Sequence, residues 1–233
     1  MILTKPSIEF LDSNSKGLAL IEQAGRTCYQ SQPTIPGSTG SATKFTQMLL
    51  DKGHHAMIEF GWLCYRIICD RGVTHELVRH RLVSWAQEST RWCNYKGGVT
   101  FIIPPWVDIP ERFIDTDTWF DNEENYLDAA DRTGDIEYFE HENLIWLRAM
   151  QEAEEHYQHL MGYGSTPQKA RSVLPNSLKT QICMAANIRE WRHFFLLRTH
   201  KDAHPQMREV ANMLLVDARE RYPVVFDDLI HNV

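Results

Sequence analysis

Apolar residues recur at helical spacing from Leu18 to Tyr29 and from Ala42 to Lys52, and Gly53 stands where a helix C-terminal glycine belongs. Trp62 to Cys69 is short, β-branched and aromatic, which predicts a strand. Thr74 is positioned to cap a helix running through Arg81, and Val99 to Ile103, closed by Pro104-Pro105, predicts another strand. Weak helical patterning from Trp119 precedes a stronger run from Ile136 to Met161, which ends at Gly162-Tyr163-Gly164. Ser165-Thr166-Pro167 offers a cap and a first-turn proline for a helix over Gln168 to Leu174, which Pro175 stops. Leu178 to Ala186 alternates as a strand does, Asn187 is placed to cap a helix over Ile188 to Arg198, and Pro205 opens a last helix through Arg221. The pattern predicts an α+β fold, with mixed helices around a small central antiparallel sheet and more helix than strand.

No repeat, low-complexity tract or Pro/Gly/Ser linker divides the 233 residues, so one domain over 1–233 is expected. With 43% hydrophobic residues the chain is able to bury a sizeable core. No run approaches the roughly 20 apolar residues of a membrane helix, and the N-terminal sequence lacks the layout of a signal peptide. Those features, with an odd count of five cysteines and no Cys-x-x-Cys pair, predict a cytoplasmic protein with reduced thiols. The net charge of −7 argues against a nucleic-acid partner. Thirteen Asp or Glu and two Arg between Asp108 and Glu142 concentrate that charge, a local −11 that leaves the remainder at +4. The mildly basic remainder leaves room for anionic small molecules. The acidic stretch at about 108–140 is expected to be a solvated elaboration.

The densest candidate chemistry lies at Arg79-His80-Arg81 and in the ten residues that follow, through Gln87, Glu88, Ser89 and Arg91. Consecutive helical side chains point about 100° apart, so the basic triplet does not serve one patch within a helix, whereas at a helix end it meets different parts of one bulky ligand. Guanidinium, hydroxyl and amide groups suit phosphates and uracil-like edges. On its own this segment also fits a solvated helix end. His54-His55 and the His200/His204 pair are metal-capable types, but no His-Glu-x-x-His occurs and Pro205 disrupts the second pair's helix, so no metal site is expected.

Arg-His-Arg, seven residues and then Ser resembles the signature of the flavin-dependent thymidylate synthases, with Arg91 at a further arginine of that family. The resemblance extends through Arg26–Tyr29, Gly53–Phe60 and Trp62–Ile103, and returns at Ala170–Pro175, Asn187–Trp191, Leu197-Arg198 and His204–Arg208. It implies FAD as cofactor, NADPH and methylenetetrahydrofolate as co-substrates, and reductive methylation of dUMP to dTMP in a homotetramer whose active sites are shared between subunits. Carried over position by position, Glu76, Arg79, Gln87, Glu88, Ser89, Arg91, Arg171 and Arg198 would bind dUMP. Arg198 would face the pyrimidine as the catalytic residue, and Ser89 would position the nucleotide. Ala56, Glu59, Arg79, His80, Arg81, Gln87, Asn187, Arg189 and His193 would hold FAD, and His54 would lie near the folate. Cys28 and Ala56 replace hydroxyl residues of some members, Glu76 a glutamine and His193 an amide. An FAD-binding protein without synthase activity, and a nucleic-acid-binding module using the basic triplet, are the alternatives.

Overall fold

The computed structural model describes residues 1–31, 39–109 and 141–232. Strands β1 (Ile2–Thr4) and β2 (Ser7–Ser13) precede helices α1 (Leu18–Tyr29) and α2 (Thr39–Asp51). A 3-10 turn (His55–Phe60) leads into β3 (Trp62–Asp70), α3 (Arg71–Leu77), β4 (Ser84–Gln87) and β5 (Thr100–Ile102). Then come α4 (His141–Gly162), α5 (Pro167–Ala170), a 3-10 turn (Arg171–Val173), β6 (Lys179–Asn187), α6 (Ile188–Arg198), α7 (Pro205–Arg221), α8 (Pro223–Phe226) and a closing 3-10 turn (Asp227–Asn232). This is α+β with more helix than strand. The patterning expected from Trp119, the first residues of the run from Ile136, and most of the acidic elaboration lie outside the described residues. No helix among the described residues is long and apolar enough to cross a membrane.

Two compact units are built from interleaved segments. The first comprises Met1–Pro6, Ile68–His75 and Gln87–Gln181, the second Ser7–Ile67, Glu76–Ala86 and Ile182–Val233. In the first, β1 pairs parallel with β5, Leu3 opposite Phe101. Leu3, Val99, Phe101 and Ile103 share one apolar cluster with Leu147, Met150 and Tyr157 of α4. The parallel pair was not expected, because three-residue strands are too short to carry a period.

The larger sheet has the order β2-β3-β6-β4. Ile188 N–H donates to the Gly61 carbonyl at 2.8 Å before β3, and Arg71 N–H to the Leu178 carbonyl at 3.2 Å after it. One chain ascends as the other descends, so β3 and β6 run antiparallel, as the sequence predicts of its central sheet. Gly61 gives room at the first of these contacts: a Cβ there would lie 2.5 Å from Ile188 Cδ1, which would have to shift. One face of β3 and β6 is buried through Leu63, Tyr65, Ile67, Ile182 and Met184, the consequence of the period of two along a strand.

Helix ends follow from local chemistry. Gly53, at φ 68°, terminates α2, with Gly53 N–H bonded to Leu50 O and His54 N–H to Leu49 O, the paired bonds of a Schellman motif. Asn187 caps α6, its side-chain oxygen accepting Glu190 N–H at 2.8 Å. Asn187→Ala is expected to lower stability by about 1 kcal/mol, measured as a shift in the urea midpoint with an unchanged slope. The helix around Thr74 differs from expectation. It begins at Arg71, because the Asp70 carboxylate accepts Val73 N–H at 2.8 Å, while the Thr74 hydroxyl donates to Arg71 O inside the helix. It ends at Leu77 rather than Arg81. Arg79 and His80 N–H close tight turns on Glu76 O and Leu77 O at 3.2 and 3.0 Å, so the basic triplet leaves the helix.

Candidate functional site

The residues singled out in the sequence fall on both units, and each group forms an arrangement of its own. On the second unit, α6 leaves the buried sheet at Asn187 and carries Glu190, Phe194 and Arg198 at four-residue spacing, which aligns them along one side of the helix. The His80 ring meets that side, 5.1 Å from the Phe194 ring and 5.8 Å from that of His193, both edge-on. Trp85 Nε1 donates to the His80 carbonyl at 3.2 Å, fixing the turn that presents the ring.

Both ring nitrogens of His80 are engaged. Nε2 accepts from Arg198 Nε at 3.0 Å, and Nδ1 lies 3.3 Å from Glu190 Oε1. A guanidinium only donates. Nε2 is therefore the unprotonated nitrogen, and the Nδ1 proton is given to Glu190. Burial holds the imidazole below its ordinary pKa; the Glu190 hydrogen bond pulls upward and the Arg198 charge pulls down again. Burial and the arginine outweigh the carboxylate, and the net lowering keeps the ring neutral at physiological pH.

Arg198 is clamped from the other side by Glu76, whose Oε2 accepts from Nη1 at 2.9 Å and whose backbone carbonyl accepts from Nη2 at 3.3 Å. Glu76, expected at the nucleotide, thus also anchors the arginine expected to face the pyrimidine. His80, Glu190 and His193 bring three ligand-type atoms within 4.8 Å. With the Nδ1 proton already given to Glu190, these groups form a hydrogen-bonded network that needs no cation.

The other second-unit candidates spread around this network. Arg79 and Arg81 are exposed, and among the described residues neither guanidinium has a side-chain partner. Arg189 Nη1 meets Glu59 Oε1 at 2.6 Å, and both side chains remain accessible. Ala56 is exposed in the 3-10 turn. His54 Nδ1 lies 3.1 Å from the hydroxyl of Tyr29, an exposed ring that the sequence did not single out. Asn187 uses its side-chain oxygen on the cap, which leaves its amide NH2 free of that role.

On the first unit, Gln87 Nε2 donates to Thr74 and Thr180 hydroxyls at 3.0 and 3.4 Å. The Glu88 carboxylate accepts from the Tyr95 hydroxyl at 2.9 Å and pairs with Lys179 at 3.4 Å. Burial and then Glu88 itself push the Tyr95 hydroxyl above its ordinary pKa, so it stays a donor. Arg171 Nη1 donates to the buried Thr90 hydroxyl at 2.8 Å, and the Ser89 oxygen accepts Arg91 N–H at 3.4 Å. Arg91 itself is exposed. Arg71 Nη1, buried and without a hydrogen-bond partner among the described residues, adds a cation to this unit that sequence reasoning missed. Glu190 and Tyr29 were missed too. Glu190 lies three residues after a capping Asn, where an acid reads as part of a capping box, and nothing local signals its burial.

The chain matches the family model described as thymidylate synthase complementing protein over residues 9–224. It is 33% identical over 216 residues to the flavin-dependent thymidylate synthase of Corynebacterium aurimucosum, covering 92% of this chain and 80% of that one. It is 30% identical over 229 residues to the flavin-dependent thymidylate synthase of Mycobacterium tuberculosis, covering 97% and 85%. Among solved structures, a UMP/dUMP methylase, PolB from Streptomyces cacaoi bound with 5-Br dUMP, shares the fold at a TM-score of 0.70 and 21% identity, covering 97% of this chain and 96% of that one.

Proposed function

The chain belongs to the thymidylate synthase complementing protein family, the flavin-dependent thymidylate synthases, and from that premise we propose that it methylates dUMP reductively to dTMP, with Arg198 as the pyrimidine-facing catalytic residue. The observation that carries this reading is Arg198 held between Glu76 and His80. Three N–H groups of its guanidinium are engaged there, which leaves two of its five for a ligand. A fixed cation that stays charged lowers the cost of removing the N3 proton from a uracil ring and stabilises the anion as electron density rises toward C5.

FAD fits the donor set of the second unit. For its diphosphate, Arg79 and Arg81 offer guanidinium groups that have no side-chain partner among the described residues. The positive end of the α6 dipole, beside Asn187, Arg189 and His193, favours an anion, although Ile188 and Glu190 N–H already serve Gly61 and the cap. Glu59, Ala56, His80 and Gln87 complete the proposed FAD set, and His54 lies at the folate. When bound, FAD reduced by NADPH supplies the hydride that completes the methyl group, and methylenetetrahydrofolate supplies its carbon. Glu76, Arg79, Gln87, Glu88, Ser89, Arg91 and Arg171 hold dUMP. The Ser89 hydroxyl positions the nucleotide, since among the described residues none of its hydrogen bonds reaches a general base and an unassisted hydroxyl is a weak nucleophile. The protein's own task is alignment and the exclusion of water.

Assembly into a homotetramer with shared active sites is part of this reading. Its support is the apolar surface each unit exposes, Leu82, Leu196 and Leu197 on the second and Trp92 on the first. Purified protein is expected to carry flavin absorbance, to change that spectrum on addition of dUMP, and to form dTMP when given methylenetetrahydrofolate and NADPH. A colourless protein that takes up no FAD would reject the reading. Retention of FAD without any dTMP would leave a flavoprotein of another activity. A monomeric mass with full turnover would remove the tetramer.

A further inference from the structure

We infer that Glu190 is the positioning residue for Arg198: through the His80 imidazole it fixes which ring nitrogen accepts from the arginine, and so where the guanidinium points. This rests on the proposed role of Arg198. Glu190 is 6% exposed, and a buried carboxylate is costly unless its oxygens are hydrogen-bonded. Among the described residues its side-chain contacts are imidazoles, His80 Nδ1 at 3.3 Å and His193 Nδ1 at 3.5 Å, and not an arginine or lysine. Three residues after the Asn187 cap, an acid of this kind ordinarily turns back to the cap's own N–H. Here only the Glu190 backbone N–H serves the cap, while the carboxylate reaches across to a residue 110 positions earlier.

A neutral imidazole has one donor and one acceptor. Arg198 Nε claims the acceptor at Nε2, so the proton sits on Nδ1, inside the protein, where it requires an acceptor of its own. Glu190 is that acceptor. With Leu at position 190, the Nδ1 proton is stranded and the ring gains by exchanging tautomers, which removes the acceptor from Arg198 and leaves its guanidinium tethered to Glu76 alone. Protonation of His80 has the same result, because an imidazolium has no acceptor. Among the described residues, the titratable and charged groups facing the ring are Glu190, His193 and Arg198 on α6, with Glu76 of α3 beyond the arginine. The carboxylate favours the imidazolium and the arginine opposes it. Removing the carboxylate charge while keeping an oxygen acceptor therefore extends the neutral range of His80 downward in pH.

Two variants of the full-length enzyme test this, with kcat, KM for dUMP and the kcat–pH profile as readouts and flavin absorbance as the control for folding. Glu190→Leu is expected to lower kcat about tenfold, the equivalent of one hydrogen bond to a charged group, with FAD retained and KM changed less than kcat. Glu190→Gln, which keeps an acceptor, is expected to lose less, and its acid limb should move to lower pH. A purely structural role for Glu190 would not move that limb. Full kcat in Glu190→Leu, or an unmoved acid limb in Glu190→Gln, would overturn the assignment; if the leucine variant does not fold, the glutamine profile decides. Arg198→Ala separates the two levels. If that variant remains active, the reading of Arg198 fails, whereas an inactive Arg198→Ala beside a fully active Glu190→Leu removes only the positioning role.

Discussion

Arg198→Ala is expected to reduce dTMP formation by a factor of about a thousand, the upper range for loss of one preorganised charge donor, while FAD remains bound. The separation of the two effects follows from geometry. Arg198 contacts Glu76 and His80, whereas the groups proposed for the flavin phosphates, Arg79 and Arg81, are exposed and do not depend on it. Truncation leaves the partly exposed Glu76 carboxylate to water and removes one neighbour of His80. It leaves the apolar packing of α6 in place. Arg198→Lys should recover only part of the activity, because an ammonium is a point charge and does not reach His80, Glu76 and a ligand through one planar fork. Flavin absorbance of the purified variant and single-turnover dTMP formation are the measurements. Loss of both together would mean that Arg198 supports the cofactor site instead.

Trp191→Ala is expected to cost about 3–5 kcal/mol for the cavity, a loss that leaves little net stability in a protein of ordinary margin. Trp191 is fully buried. Its ring packs edge-on against Tyr65 and Phe194 at 5.4 and 5.6 Å, and stacks on Phe195 at 5.4 Å with 29° between the ring planes. Its Nε1 donates to the Leu63 carbonyl at 3.1 Å, tying α6 to β3. Trp191→Phe separates the two contributions: the ring volume is largely kept while the carbonyl loses its donor, for a further cost of about 1–3 kcal/mol. Chemical unfolding of both variants gives the comparison. A Trp191→Ala midpoint indistinguishable from the parent would show that the aromatic cluster closes over the gap. Activity should fall with stability, because Glu190, His193 and Arg198 stand on the same helix.

Local chemistry made several elements legible in advance. Leu18–Tyr29, Ile188–Arg198 and Pro205–Arg221 form as the spacing predicts, because each has a strong apolar stripe, and the two later helices also carry start signals, the Asn187 cap and Pro205. The triplet Arg79-His80-Arg81 was legible as chemistry but not as conformation. Thr74 looked like a cap, yet the acidic Asp70 was available three residues before the Val73 N–H and won that position, which moved the helix to Arg71–Leu77 and placed the triplet in a turn. Strands β1, β2 and β4 went unmarked because they are short or polar, and pairing rather than pattern makes them strands.

The sequence by itself determined the family, the helical framework of the second half and the identity of most candidate ligands, since these rest on residue type and spacing within a few turns of chain. Only the tertiary structure decided what those residues do to one another. His80 stands 110 positions from Glu190 and 118 from Arg198. No local period links residues so far apart, and the proton on the His80 ring is assigned only once burial and the direction of each donor are fixed in space. The Arg79-His80-Arg81 triplet marks His80 as a residue type, and folding sets the Glu190 carboxylate behind its ring and Arg198 in front.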